Sequence, residues 1–274
     1  MKDKKIQERN SKYLFFDFDG TLTVTREILE KDGKKKRFSV IPEEHYNALL
    51  LAKAEGYRLF LCTGRAKGSL MHAFSAYPYL KEIPWDGMIC GASEMWYHGK
   101  QIAITVVSEE ECMKWIDYAV VTKSEFHYNG TDRWENLDFS RVEDAEEIER
   151  MKNMAREWIQ CNPMTNCAIV PAVNLEKAPD SKMTVINMPT YSDLFAPNCN
   201  KGRAIVRFCE LLGIPFEDTV CFGDSANDLD MFHACPIGIC MANSPEELKS
   251  LAAYVAKGTY GVEEGIYWLL GKKT

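Results

Sequence analysis

Short apolar segments that run directly into acidic, hydroxyl or glycine residues constrain the fold of this chain more than any other feature. Each such segment is typical of a buried β-strand. The segments, with the residues that follow them, are Tyr13–Phe16 with Asp17, Leu59–Cys62 with Thr63, and Thr219–Phe222 with Gly223. Helical patterns begin after Pro42 and at Lys201. Because strands that alternate with helices are typical of βαβ units, we predict an α/β fold with a Rossmann-like parallel sheet.

The middle of the chain departs from this alternation. Trp96–Ile102 has the pattern of a β-hairpin, and amphipathic helices are predicted after Ser108 and from about Val142 to Ile159. This mixture is typical of an α+β arrangement. We therefore predict an inserted α+β domain over residues 94–196, and a core domain formed by residues 1–93 and 197–274.

Length and charge limit the classes of function. A chain of 274 residues with 46% hydrophobic residues can bury a large core. Its net charge of −7 argues against non-specific binding to nucleic acid, and it creates no general field that attracts anions. Any phosphate must therefore be held by local groups.

Cysteine usage and hydropathy bear on the location of the protein. The ten cysteines are scattered, form no CxxC pair and lie mostly in apolar runs, which favours reduced, buried thiols over disulfides or zinc. The first eleven residues are charged and lack the apolar segment of a secretory signal. No apolar stretch approaches the length of a membrane span. We expect a cytoplasmic protein.

Asp17 and Asp19 lie close together at the end of the first predicted strand. In an extended segment alternate side chains point to the same face, so we expect the two carboxylates to be neighbours. Two anions at short distance repel, and each shifts toward its neutral form unless a cation or a proton shares the site. A hard, oxygen-seeking ion such as Mg²⁺ meets that requirement, and the pair therefore indicates phosphoryl chemistry.

Further polar residues are predicted at the same edge of the sheet. Ligands of parallel sheets bind beyond the carboxyl ends of the strands, where Asp17, Thr63 and Asp224 each fall. Asp224 adds a carboxylate for Mg²⁺, and Asp228 can reach back from the next turn. Lys201 begins a predicted helix, where the macrodipole disfavours a cation. We interpret Lys201 as a charge that neutralises a phosphate or an aspartate.

These motifs, in this order, resemble those of the haloacid dehalogenase superfamily of phosphatases. The matching residues are Asp17–Thr21 (DFDGT), Thr63–Arg65 (TGR), Asn200–Gly202 (NKG) and Gly223–Asp228 (GDSAND). Met241–Asn243 and Gly261-Val262 are similar to the tail of the Cof-type branch, which has a type IIB cap between its second and third motifs. This branch often has asparagine where this chain has Cys90, so we carry over no substrate contact at that position.

The resemblance implies catalytic and metal-binding roles. Asp17 would attack phosphorus and form a phospho-aspartate, and Asp19 would serve as general acid and then as general base. Mg²⁺ would be held by Asp17, the backbone carbonyl of Asp19 and Asp224. Asp228 would orient Lys201 or a water molecule bound to the metal, so the predicted metal residues are Asp17, Asp19, Asp224 and Asp228.

The resemblance also implies a set of phosphate contacts. Thr63, the Gly64 N–H and Lys201 would hold the phosphoryl oxygens, and Asn227 would contact phosphate or substrate. The inserted domain would act as a cap that excludes water and selects the leaving group.

The implied function is Mg²⁺-dependent hydrolysis of small soluble phosphomonoesters, sugar phosphates among them, with no nucleic-acid or membrane partner. Two alternatives stay open. One is a phosphomutase or phosphotransferase that passes the phosphoryl group to another alcohol. The other is a non-catalytic protein that senses a metabolite, although the intact Asp17 and Asp19 pair argues against it. The sequence defines neither the natural substrate nor the oligomeric state.

Overall fold

The computed structural model of the chain describes residues 12–29, 35–76 and 82–272. Within these ranges the β-strands are, in chain order, β1 (Tyr13–Phe16), β2 (Val24–Leu29), β3 (Lys35–Val40), β4 (Arg58–Thr63), β5 (Gly87–Cys90), β6 (Glu94–Tyr97), β7 (Lys100–Ile104), β8 (Glu125–Gly130), β9 (Trp134–Asp138), β10 (Met164–Val170), β11 (Thr184–Asn187), β12 (Ser192–Phe195), β13 (Thr219–Gly223), β14 (Ile237–Cys240) and β15 (Tyr254–Val255). The α-helices are α1 (Glu43–Ala54), α2 (Lys67–Ala76), α3 (Glu109–Thr122), α4 (Ala145–Cys161), α5 (Lys201–Leu212), α6 (Leu229–Ala234), α7 (Glu246–Leu251) and α8 (Gly261–Leu269).

The described residues divide into two compact units. The core unit lies within Met1–Thr63, Phe74–Met88 and Lys201–Thr274, and the insert unit lies within Gly64–Ala73 and Ile89–Asn200. The chain therefore enters the insert unit twice before it returns to the core unit at α5. The boundaries drawn above from the sequence, at residues 93/94 and 196/197, stay a prediction.

A parallel sheet forms the centre of the core unit. Its strands follow the order β15-β14-β13-β1-β4-β5. β1 pairs in parallel with β13 on one side and β4 on the other, so that Phe16 lies opposite both Phe222 and Leu61. The carboxyl ends of these strands therefore meet at the same edge. The prediction of an α/β fold on a parallel sheet is confirmed.

Aromatic packing across the central strands anchors this sheet. The Phe15 and Phe60 rings stack with centroids 4.9 Å apart, and the Phe16 and Phe222 rings stack at 4.5 Å. All four side chains are buried. A strand that is buried on both faces needs a nearly continuous apolar sequence. Each of these strands therefore ends where its apolar sequence ends.

The segment after β1 forms an antiparallel hairpin of β2 and β3, with Val24 opposite Val40. Residues 30–34, between these two strands in the sequence, lie outside the described residues. Helix α1 begins after Pro42, as predicted, and is followed by Gly56 with φ of +89°.

The insert unit contains an antiparallel sheet with strand order β11-β12-β10-β8-β9. Helices α3 and α4 contribute to one apolar core with this sheet, including the buried side chains of Trp115, Phe126, Tyr128 and Phe139. The β6–β7 hairpin predicted at this position is present. Helix α4 begins at Ala145 rather than near Val142, because the Asp144 side chain accepts the first free backbone N–H groups.

None of the helices within residues 12–29, 35–76 and 82–272 has both the length and the apolar character needed to cross a bilayer.

Candidate active site

Asp17 is a buried carboxylate directly after β1. Its backbone N–H donates to the Phe222 carbonyl at 2.9 Å, which ties the end of β1 to β13. The side chain is buried, and burial raises the pKa of Asp17 well above its usual value. Lys201 opposes this rise, whereas Asp228 and Asp224 add to it. The Asp17 carboxyl is therefore crowded by other acids and contacted by Lys201.

Lys201, the first residue of α5, is buried among acceptors. Its Nζ donates to Asp17 Oδ1 at 2.6 Å, to Asp228 Oδ1 at 2.7 Å and to Asn227 Oδ1 at 3.0 Å. Burial by itself lowers the pKa of an amine, but Asp17 and Asp228 outweigh it and hold the pKa of Lys201 well above its usual value. Lys201 is therefore a permanent positive charge at 1% exposure.

Asp228 holds the loop that follows β13. Its Oδ2 accepts from the backbone N–H groups of Asp224 at 2.9 Å and Ser225 at 3.0 Å, while its Oδ1 accepts from Lys201. A Cβ on Gly223 would lie 2.7 Å from Asp228 Cγ, so only glycine allows this close approach. Both carboxylate oxygens of Asp228 are thus engaged in fixing its neighbours.

Asp224 is placed against the turn after β1. Its Oδ1 accepts from Thr21 Oγ1 at 3.1 Å, and a Cβ on Gly20 would lie only 2.3 Å from its Oδ2. Gly20 has φ of +83°, a left-handed conformation that glycine adopts without strain. Burial and the neighbouring Asp228 raise the pKa of Asp224 to about 7.

The three aspartates form a group that suits a cation. Oxygens of Asp17, Asp224 and Asp228 all lie within 4.8 Å of one another. Carboxylate oxygens at this spacing fit a hard divalent ion such as Mg²⁺. The raised pKa values of Asp17 and Asp224 reflect a charge crowding that such an ion would relieve.

Asp19 differs from Asp17 in its surroundings. β1 ends at Phe16, and Phe18–Leu22 forms a tight turn, so the alternation of an extended strand does not continue to Asp19. Its side chain is exposed, whereas that of Asp17 is buried. Within the described residues, the carboxylate group of three contains Asp17 but not Asp19.

The remaining predicted residues lie as follows. Thr63 is the buried last residue of β4, at the same sheet edge as Asp17. Asn227 accepts from Lys201 and, at 3.0 Å, from Ser225 Oγ. Gly64 belongs to the insert unit, where its carbonyl accepts from Asn166 Nδ2 at 2.9 Å.

Sequence reasoning missed the part played by Ser225. Its side chain and the Asp228 side chain cap each other's backbone N–H groups around the short turn Ala226–Asp228. The signal was present, because serine followed three residues later by an acid is the spacing of a capping box. This turn therefore holds the Asp228 carboxylate in position to accept the hydrogen bond from Lys201.

Comparisons with known proteins agree with this architecture. The sequence profile of a family described as haloacid dehalogenase-like hydrolase matches residues 14–270. A phosphoglycolate phosphatase of Methanosarcina acetivorans is 30% identical over 138 residues, which cover 46% of this chain and 61% of that relative. A 5-amino-6-(5-phospho-D-ribitylamino)uracil phosphatase of Bacillus subtilis is 24% identical over 94% of this chain and 96% of its own.

Among solved structures, the subclass IIB sugar phosphatase BT4131 matches with a TM-score of 0.71 and 21% identity. The match covers 93% of this chain and 97% of that one. At this identity the likeness concerns the fold.

Proposed function

Because this chain belongs to the haloacid dehalogenase-like hydrolases, we propose that it is a Mg²⁺-dependent phosphatase of small soluble phosphomonoesters. The observation that carries the proposal is the buried Asp17 carboxylate, which contacts Lys201 and lies within 4.8 Å of two further carboxylates. A carboxyl group kept out of water beside a fixed cation suits a nucleophile for phosphorus. The resemblance to this family implies the roles proposed below for the individual residues.

In the proposed reaction a carboxylate oxygen of Asp17 forms a bond to phosphorus while the bond from phosphorus to the ester oxygen breaks. Asp19 gives its proton to that oxygen, so the alcohol leaves neutral. Asp19 then takes a proton from water, whose oxygen attacks phosphorus and releases orthophosphate from Asp17. The exposure of the Asp19 side chain leaves it accessible to both the leaving alcohol and water.

The other residues would bind the phosphoryl oxygens, hold the metal and orient their neighbours. Thr63, the Gly64 N–H, Lys201 and Asn227 would bind the phosphoryl oxygens. Asp17, Asp224 and the Asp19 carbonyl would hold Mg²⁺, which supplies Lewis-acid stabilisation of the phosphoryl charge when bound. Asp228 was predicted as a metal residue, and its engaged oxygens favour the alternative role of orienting Lys201 and the loop of Asp224.

The proposed substrates are sugar phosphates and related polyol phosphates. Support comes from the relatives named as phosphatases of a phosphoribityl compound and of sugars. We propose residues 94–196 as the cap domain that selects among these substrates. The predominantly buried thiols fit the reducing cytoplasm as the place of action.

Replacement of the nucleophile tests the proposal. Asp17→Asn should lower Mg²⁺-dependent hydrolysis of p-nitrophenyl phosphate by at least about 10³-fold, because the amide cannot form the acyl phosphate. Asp117→Asn is the matched control, since Asp117 lies in α3 and pairs with Lys152 at 2.7 Å. Substantial activity in Asp17→Asn would overturn the assignment. Assays with a sugar acceptor would separate hydrolysis from transfer, because transfer converts substrate without releasing an equal amount of phosphate.

A further inference from the structure

His45 is a buried histidine of helix α1 that the proposed mechanism does not use. Its side chain is fully buried, and its Nδ1 lies 2.9 Å from the carbonyl oxygen of Leu22. A carbonyl oxygen only accepts hydrogen bonds, so Nδ1 carries the proton and donates it to this bond. His45 thereby ties α1 to the last residue of the tight turn Phe18–Leu22.

The other ring nitrogen of His45 is an unpaired acceptor. Among the residues that the structure describes, none makes a hydrogen bond to the buried Nε2. Burial lowers the pKa of His45, and it outweighs the Leu22 carbonyl and Glu44, which both raise this pKa. A neutral ring with its proton on Nδ1 leaves Nε2 as a buried acceptor, which is unfavourable. An apolar side chain would avoid this cost, but it would offer no donor to Leu22.

Tyr260 holds the ring of His45 from a second direction. The two rings lie edge to face, with centroids 6.2 Å apart and planes at 86°. Tyr260 is the residue directly before α8, and both residues belong to the core unit. The donor to the turn is therefore supported by two helices of the core unit, and groups placed on such elements are positioned more precisely than groups on loops.

The turn that His45 contacts carries Asp19, the proposed general acid and base. The Thr23 N–H donates to the Phe18 carbonyl at 3.0 Å, and the Gly20 N–H donates to Thr23 Oγ1 at 3.0 Å. These bonds close the turn on itself, whereas the bond from α1 ties it to a separate element. A general acid acts only from a defined position beside the leaving oxygen, so the conformation of this turn bears on catalysis.

Building on the proposed function, we propose that His45 is a positioning residue for proton transfer by Asp19. Its bond to Leu22 holds the turn in the conformation that presents the Asp19 carboxyl to the leaving oxygen. Without this donor a buried carbonyl is left unpaired, and the turn shifts to satisfy it. Asp17 precedes the turn, and its backbone N–H is bonded to β13. Attack on phosphorus therefore suffers less than protonation of the leaving group.

The kinetic test compares two leaving groups in His45→Phe, which keeps an aromatic ring but removes the donor. Ribitol phosphate releases an alcohol that needs a proton, whereas p-nitrophenyl phosphate releases a stable phenolate that leaves without one. We expect the ratio of kcat/KM for ribitol phosphate to kcat/KM for p-nitrophenyl phosphate to fall about 10-fold. This is part of the roughly 10²- to 10⁴-fold that a general acid contributes, because the variant retains Asp19.

Two further variants serve as controls. His45→Asn carries an N–H donor at about the distance of Nδ1 from the backbone, so it should restore most of the ratio. His233→Phe makes the same change at an exposed site of α6 and should not alter the ratio.

An unchanged ratio in His45→Phe would overturn the inference. An equal loss on both substrates in a folded His45→Phe would also overturn it, because the role of His45 would then be merely structural. So would a loss in His45→Asn as large as that in His45→Phe. If His45→Phe does not fold, the smaller His45→Leu takes its place with the same expectations.

Heteronuclear NMR of the unaltered protein, labelled with a nitrogen isotope, decides the matter if neither variant folds. We expect a proton on Nδ1 of His45 and none on Nε2 at neutral pH, and a proton on Nε2 alone would overturn the inference. If the unaltered protein hydrolyses neither ester, the proposed function fails. If it hydrolyses both and the ratio stays unchanged in His45→Phe, the inference fails alone.

Discussion

At the scale of single residues, the site is governed by charge balance around Lys201. The buried ammonium of Lys201 forms ion pairs with the buried carboxylates of Asp17 and Asp228, and each Nζ to Oδ1 distance is at most 2.7 Å. Removal of one partner from such a set leaves an uncompensated buried charge, which is far more unfavourable than loss of a surface ion pair.

Lys201→Met should therefore destabilise the fold as well as abolish activity. We expect the free energy of unfolding to fall by about 3 kcal/mol or more, because two acids lose their shared cation. Denaturant unfolding measures this change. Lys249→Met removes a surface pair with Glu246 and should change stability by less than about 1 kcal/mol. Equal effects of the two variants would contradict this account.

The pKa of Asp224 predicts a pH-dependent response to Mg²⁺. The pKa of Asp224 is about 7 in the metal-free fold, against an ordinary value of 3.8. Its contribution to the free energy of unfolding is therefore complete below about pH 4, and this contribution is lost as the pH rises through about 7. The metal-free protein should therefore melt at lower temperature at pH 8 than at pH 5. Mg²⁺ should raise Tm more at pH 8, where it meets ionised carboxylates. A Tm increase of the same size at both pH values would contradict this.

At the scale of elements, tight turns rather than strands give the site its geometry. The turn after β1 brings Gly20 against Asp224, and Gly56 adopts a similar positive φ of +89° with no atom within 4 Å of a Cβ. A comparison of alanine substitutions at these two glycines therefore distinguishes the effect of backbone strain from the effect of a steric clash with Asp224.

Gly20→Ala should weaken Mg²⁺ binding, whereas Gly56→Ala should not. Both variants force a side chain into the left-handed region, which costs roughly 1–2 kcal/mol of stability. Only the Gly20 variant also displaces the Asp224 carboxylate. Calorimetric Mg²⁺ titration of the two folded variants checks the difference; similar Mg²⁺ affinities would show that Asp224 is not placed by this turn.

The sequence predicted the core elements better than those of the insert unit. β1, β4 and β13 contain short continuous apolar runs, which are typical of buried strands. β8 was missed because Phe126 and Tyr128 alternate with polar residues in a short segment, and β12 holds too few residues to show a period. Their pairing depends on distant strands, which local pattern does not specify.

The sequence brought residues of the candidate site together but did not indicate their individual contacts. Strand-end position brought Asp17, Thr63 and Asp224 into one hypothesis, and the structure places all three at one sheet edge. That both oxygens of Asp228 are engaged depends on side-chain packing across the fold. Spacing along the chain carries no such information.

At the scale of the whole molecule, residues far apart in sequence form one charged centre. Asp17, Lys201 and Asp228 are separated by up to 211 positions along the chain, yet they are joined by direct hydrogen bonds inside the core unit. The net charge of −7 gives no attraction for a phosphate ester, so binding must come from these local groups and a bound cation.

The central claim is that Asp17 and Asp224 share one divalent ion beside Lys201. The direct measurement is a crystal structure of the protein with Mn²⁺ in place of Mg²⁺, in which anomalous scattering locates the metal. We predict a single peak bound by carboxylate oxygens of both residues at roughly 2.0–2.3 Å. A metal peak that contacts only one of the two aspartates, or lies elsewhere in the molecule, would contradict the account.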